Sequence, residues 1–219
     1  MAKGLKGLDM AGEGLARLVP GRYGIKGKAG VKITELSGVN ITQLAFFPEQ
    51  ESAVKTFLKR QFGGMHLPDL SASCQAGDNL CLRAEIGKLW LVTAQPVIAG
   101  LPASTAKYYP LDISASKVCL QLSGAEAGSL INRQAAVDLS CPDGQFMATG
   151  MHHIGVHILK ISSEDYLLFL PSSFAESLAH SLFEIACQFG VRVSKPVRWP
   201  ESGPENGPEN GPENQVGLV

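Results

Sequence analysis

Between residues 152 and 190 the hydrophobic pattern changes period once, and that change constrains the fold more than any other feature of the chain. HHIGVHILKI (152–161) and DYLLFL (165–170) are apolar runs joined by the short polar SSE, which spells an antiparallel hairpin. The next stretch, FAESLAHSLFEIACQF (174–189), spaces its apolar residues for a helix: Phe174, Leu178, Leu182, Ile185 and Phe189 make one stripe, and Gly190 stands at the stop. A hairpin running straight into a helix is a β-β-α unit. It does not suit the strand–helix–strand alternation that builds a parallel sheet.

A second unit of this kind is expected near the other end. VKITEL (31–36) and ITQLAFF (41–47) flank SGVN and predict a second hairpin. A helix from Glu49 to Phe62 follows, with Val54, Phe57, Leu58 and Phe62 at helical spacing and Gly63-Gly64 at its end. The two helices carry matching punctuation: FFP and QFG around the first, FLP and QFG around the second. The later one is expected to be about one turn longer. Between the units, NLCLRAEIGKLWLVTAQ (79–95) contains two strand-like runs about Gly87, and KVCLQLSG (117–124) leads into a short helix pattern, AEAGSLINRQAAV. The expected fold class is α+β: two related β-β-α-containing halves over residues 31–198, each an antiparallel sheet with helices packed on one face. A hydrophobic content of 45% is enough to supply the cores.

The ends read differently. Residues 1–30 hold eight glycines interleaved with lysine and arginine and are expected to form a flexible basic arm. Gly27-Lys28 is not a phosphate loop, because Arg22 stands where its first glycine belongs and Ala29 where the magnesium-binding hydroxyl belongs. Gly12 and Gly14 fail as a dinucleotide fingerprint, since Arg17 occupies the third small position. Residues 199–219 include GPENGPENGPEN, which has no apolar residue to bury, and are expected to be a disordered tail without a partner. A net charge of -1 argues against a nucleic-acid partner. No apolar run approaches the roughly 20 residues of a membrane span, and no secretory signal opens the chain. A cytoplasmic location is the expectation.

Candidate chemistry is sparse. Cys74, Cys81, Cys119, Cys141 and Cys187 are widely and irregularly spaced and read as reduced thiols. On an extended strand His153 and His157 share a face but lie about 13 Å apart, too far for one metal ion, and with His152 they read as core or surface imidazoles. Ser172 and Ser173 in LPSSFAE lack the flanking glycines of a nucleophile elbow. SFAE instead spells a capping box, with Ser173 as N-cap and Glu176 reaching back. Asp112, Asp138 and Asp143 lie beside serine, proline and glycine, where turn or cap formation is their expected role. No catalytic, cofactor-binding or metal-binding residue is assigned from the residues alone.

With these residues in view, the stretch LDISASKVCLQLSGAEAGSLINRQAAVDLSCPDGQFMATGMHHIGVHILKISSEDYLLFLPSSFAESLAHSLFEIACQFG (111–190) resembles the gamma subunit of heterotetrameric sarcosine oxidase. SFA and FG around the final helix carry the resemblance, which extends over residues 31–192. It implies a fold related to the folate-binding domains of the glycine cleavage T-protein. It further implies an accessory, non-catalytic subunit beside larger alpha and beta flavoprotein subunits and a small zinc-binding delta subunit. FAD, FMN, NAD, tetrahydrofolate and zinc would then reside in those partners and none in this chain. Sarcosine, N-methylglutamate or another N-methylated or cyclic amine would suit such a complex, as oxidase or dehydrogenase. The alternative is a stand-alone tetrahydrofolate-binding aminomethyltransferase-like protein.

Overall fold

The computed structural model describes residues 14–25, 29–97 and 108–200. In chain order, the elements begin with β1 (Gly21–Tyr23), β2 (Val31–Ser37), β3 (Asn40–Ala45), α1 (Glu51–Gln61), β4 (Ala72–Ala76), β5 (Asn79–Glu85), β6 (Lys88–Thr93) and β7 (Tyr109–Asp112). They continue with β8 (Lys117–Ser123), α2 (Ala127–Gln134), β9 (Phe146–Met151), β10 (Ile154–Ser162), β11 (Asp165–Pro171), α3 (Ala175–Ala186), β12 (Val191–Val193) and β13 (Val197–Arg198). Two sheets result. The larger has the order β1-β12-β2-β8-β11-β10-β9, with β13 also on β2, and the smaller has the order β4-β5-β6-β3-β7. All pairings are antiparallel except those of β12 and β13 with β2.

Three apolar layers hold the sheets and helices together. Val31, Leu120, Leu122, Ile158 and Leu168 on the outer face of the large sheet pack against Leu130, Ile131, Leu178 and Leu182 of α2 and α3. Leu44, Leu89 and Leu91 on the outer face of the small sheet pack against Val54 and Leu58 of α1. The two inner faces meet through Leu82, Trp90, Val92, Phe146, Leu159 and Phe169. The order is therefore helices, large sheet, small sheet, helix, and each sheet carries its helices on one face as expected. Each fully buried Leu or Phe in these layers contributes roughly 1.5–3 kcal/mol.

The β10–β11 hairpin forms as expected, with His157 opposite Phe169 and Leu159 opposite Leu167. The expected hairpin of 31–36 with 41–47 does not. β2 pairs with β8, β12 and β13, while β3 pairs with β6 and β7 in the other sheet. Gly38, at φ +68, turns the chain out of one sheet, and Leu36 and Ile41 on either side of the link both enter the layer between the sheets. Alternation says that a strand is half-buried; it does not name the neighbour.

Both long helices lie where their periodicity puts them. α1 ends at Gly63 and Gly64, both in the left-handed region, and α3 runs through the 3₁₀ turn Cys187–Phe189 to Gly190, also at positive φ. The extra length of the second is mainly that terminal 3₁₀ turn. The face α3 buries is centred elsewhere than the large side chains suggest: Ala175, Ala179 and Ala186 are buried beside Leu178 and Leu182, while Phe174 stands 48% exposed. The alanines let the helix axis approach the sheet closely.

The capping box is also corrected. Ser172–Phe174 form a 3₁₀ turn, Phe174 rather than Ser173 precedes α3, and no side chain caps the helix. Glu176 lies 3.6 Å from Arg17, a weak surface pair. The 3₁₀ turn shifts the helix start by one residue, and a cap motif offset by one has no geometry to fulfil.

Part of the glycine-rich arm is built into the fold. Ala16 and Leu18 are buried, β1 pairs with β12, and the Glu35 carboxylate accepts the backbone amides of Leu15 and Ala16, each at 2.9 Å. Residues 1–13 and 26–28 lie outside the described residues. At the other end, Trp199 packs against the inter-sheet layer and its amide donates to Ser37 O at 2.8 Å, so the folded unit runs past residue 198. The GPEN repeat lies outside the described residues.

Candidate functional site

The seam between the sheets gathers a cluster of polar and aromatic groups. Strand alternation turns His157 of β10 inward, as it does Leu159 two residues on, and Phe146 and Phe169 come in from the strands on either side. Trp90 of β6 closes the group from the small sheet, with its ring centroid 4.4 Å from that of His157; Phe146 stacks on His157 at 5.4 Å and 22° and meets Trp90 edge-on at 5.5 Å. The Lys117 ammonium sits 5.3 Å from the Trp90 ring centroid, a cation–π arrangement, and Trp90 Nε1 donates to Gln43 Oε1 at 3.4 Å. Burial, reinforced by the Lys117 charge and opposed by Glu85, lowers the His157 pKa to about 4. Its Nδ1 is buried without a hydrogen-bond partner. The neutral imidazole is one member of a packed cluster of rings with Trp90 and Phe146.

The other two histidines are placed by a turn that the sequence reading missed. His152 and His153 are the two residues linking β9 to β10, at φ 48 and 65, as a type I′ hairpin requires. His153 is thus not on a strand with His157. The signal lay in the dipeptide itself, since histidine tolerates the left-handed region better than most side chains. His152 Nε2 lies 2.8 Å from Ser181 Oγ and 2.7 Å from Gln134 Oε1. This serine–histidine contact is not a catalytic arrangement. Glutamine and serine share one ring nitrogen, whereas a triad places its orienting carboxylate on the other. Ser181 also donates to Gln134 Oε1 at 3.2 Å, so the trio pins the hairpin tip onto α2 and α3.

The aspartates are occupied as expected of turn residues. Asp112 accepts from the Ser114 amide at 2.9 Å and its hydroxyl at 2.6 Å, and Asp138 does the same with Ser140 at 2.9 and 2.7 Å. These bonds hold both carboxyls below their ordinary pKa. Asp143 lies 3.5 Å from Lys160, a buried lysine whose ammonium donates to the carbonyls of Leu139 and Cys141 at 3.1 and 2.6 Å. Ser172 and Ser173 sit in the 3₁₀ turn before α3. No group of three or more His, Cys, Asp or Glu among the described residues is placed to hold a metal ion.

Concave space lies elsewhere, on the outer side of the small sheet. An open groove of about 570 Å³ runs between the end of α1 and the β4–β5 hairpin, past Gly63, Gly64, His66, Cys74, Gln75 and Asn79. In it Cys74 Sγ lies 3.1 Å from His66 Nδ1. Cys81 stands directly opposite Cys74 on β5 and is fully buried, which pushes its thiol pKa up to about 12. No carboxylate lines this groove.

Two facing, mainly antiparallel sheets with helices on their outer sides make an α+β fold, and solved structures of similar fold match the chain. It is similar to a chain of the heterotetrameric sarcosine oxidase from Corynebacterium sp. U-96, determined in complex with pyrrole 2-carboxylate: TM-score 0.65 and 18% identity, covering 76% of this chain and 88% of that one. It is also similar to the glycine cleavage system aminomethyltransferase T from Bartonella henselae, with TM-score 0.53 and 13% identity over 76% of this chain. This chain matches only 48% of that enzyme, about half its length. At such identities the likeness shows a shared fold. No family model matches the sequence, and no curated protein does. No helix among the described residues is long and apolar enough to cross a membrane.

Proposed function

We propose that this chain is an accessory, non-catalytic, gamma-type subunit of a heteromeric flavin-dependent secondary-amine oxidase or dehydrogenase, and that it stabilises larger catalytic subunits. The coverage of the two structural neighbours carries the reading. The fold accounts for 88% of one chain of a multi-subunit oxidase but for only 48% of a stand-alone aminomethyltransferase, so the chain corresponds in extent to a subunit and to half of an enzyme. The placement of the candidate groups supports it. A one-carbon transferase working on a folate needs a carboxylate or comparable base facing its pocket. Here Asp112 and Asp138 are held in turns, Asp143 faces Lys160, and the groove has no carboxylate.

Exposed apolar side chains at one end of the small sheet suit a permanent neighbour. Phe47 is 58% and Ile86 75% exposed, and both flank the point where the Phe46 amide donates to Gly87 O; Tyr109 is exposed beside them, opposite Ala45. FAD, FMN, NAD, tetrahydrofolate and zinc then belong to the alpha-, beta- and delta-type partners, and the complex is cytoplasmic. The test is affinity purification of the tagged chain from its own cells beside purification of the chain expressed alone. Larger flavin-containing chains should accompany the first, and the second should be colourless, inactive toward N-methylated amines and without heat of binding to tetrahydrofolate. Flavin bound by the single chain, or folate binding by it, overturns the proposal.

A further inference from the structure

We propose that Cys74, His66 and Cys81 form a hydroperoxide-sensitive dithiol site opening into the groove beside α1. The arrangement has three independent parts. Cys74 is on β4, the edge strand of the small sheet, and is 9% exposed, with the exposed part in the groove. His66 Nδ1, 3.1 Å away, accepts the thiol hydrogen when its proton is on Nε2. Cys81 is the residue directly across the β4–β5 ladder, so both side chains leave the sheet on the same face. Directly opposed antiparallel residues have Cα atoms about 4.5–5.5 Å apart, inside the roughly 4.4–6.8 Å window of a disulfide.

The chemistry balances with a hydroperoxide as sole oxidant. The Cys74 thiol gives its proton to His66, and the thiolate attacks the outer oxygen of R–O–O–H. The S–O bond forms as the O–O bond breaks. The leaving alkoxide takes the proton back from His66 and departs as R–OH, leaving Cys74 as a sulfenic acid. The Cys81 sulfur then attacks the Cys74 sulfur; its own hydrogen joins the departing hydroxyl as water, and a Cys74–Cys81 disulfide remains. The dithiol loses two electrons and the peroxide gains them. The other three free thiols are placed differently: Cys119 is buried between the sheets, Cys141 contacts Met147 Sδ at 3.7 Å, and Cys187 has the Glu184 carboxylate near it.

The experiment treats the full chain with limiting hydrogen peroxide, alkylates the remaining thiols and locates blocked cysteines by peptide mass. Cys74 and Cys81 should become unavailable together, with a loss of two hydrogens from the peptide holding both, before Cys141 or Cys187 reacts. Cys81→Ser should leave a sulfenic acid at residue 74 that dimedone captures. His66→Asn, which keeps a polar group near the thiol but accepts no proton, should slow the reaction at least tenfold with an unchanged unfolding curve. First oxidation at Cys141 or Cys187, or an unchanged rate in His66→Asn, overturns the proposal. If His66→Asn fails to fold, the order of cysteine oxidation in the wild-type chain and the dimedone adduct of Cys81→Ser decide the matter.

Discussion

Mild acid should weaken this fold through His157. In the unfolded chain its imidazole has an ordinary pKa of 6.5, and in the folded chain burial and Lys117 hold it at about 4. At pH 7 both states are neutral and the group contributes nothing. As the pH falls through 6.5 the unfolded chain binds a proton that the folded chain refuses, so stability drops by about 1.36 kcal/mol per pH unit. The loss amounts to about 2 kcal/mol at pH 5 and levels off near 3 kcal/mol below pH 4, where both states are protonated. His157→Phe keeps a ring packed against Trp90 and Phe146 but cannot titrate. Urea unfolding of both proteins at pH 7, 6, 5 and 4.5 gives the comparison. The wild type should lose about 2 kcal/mol more than the variant between pH 7 and 5, whatever their offset at pH 7. Parallel stability curves would refute the buried, neutral imidazole.

Ser173→Ala and Ser172→Ala should each stay within about 0.5 kcal/mol of wild type in thermal unfolding, because no side chain caps α3; a loss near 1 kcal/mol would restore Ser173 as a cap. Gly124→Ala should cost at least ~2 kcal/mol, since φ is +114 and the new Cβ would sit 2.5 Å from Gly30 O; unchanged urea curves would contradict the close approach. Glu35→Ala should release the segment before β1, costing about 1–2 kcal/mol and exposing Arg17 to trypsin, because two backbone amides lose their carboxylate; unchanged cleavage would mean the segment is held otherwise. Removing residues 203–219 should leave the melting temperature unchanged, as an apolar-poor repeat has little to contribute to a core; a lower melting temperature would mean the tail is packed on the fold.

Local features were legible from the sequence, and pairings across long separations were not. The β10–β11 hairpin, the helices at 51–61 and 175–186 and their glycine stops are fixed by neighbours within a few residues, and period and punctuation report these. The partners of β2 lie about ninety and a hundred and sixty residues away, at β8 and β12, and no local pattern encodes them. The candidate groups divided the same way. Asp112 and Asp138 engage a serine two positions on and were legible as turn residues. The Cys74–Cys81 and Cys74–His66 pairs arise from a tight turn and a returning loop, and no C-x-x-C spacing in the sequence marks them. Ser173 shows the limit of a motif: SFAE has the right letters, but Pro171 opens a 3₁₀ turn and displaces them by one position.

The order of strands in the large sheet also dictates a timetable. Everything in the small sheet, from β3 to β7, leaves the ribosome as one continuous piece and can pair without waiting. β2 is made earlier yet cannot be completed: one edge waits for β8, and the other for β12 and β13, among the last folded residues to be synthesised. Through most of translation its apolar side chains face water on an unpaired strand, the condition under which nascent chains associate wrongly. The large sheet is therefore completed late, when β12 enters between β1 and β2 and the same three residues, Val191 to Val193, pair with both.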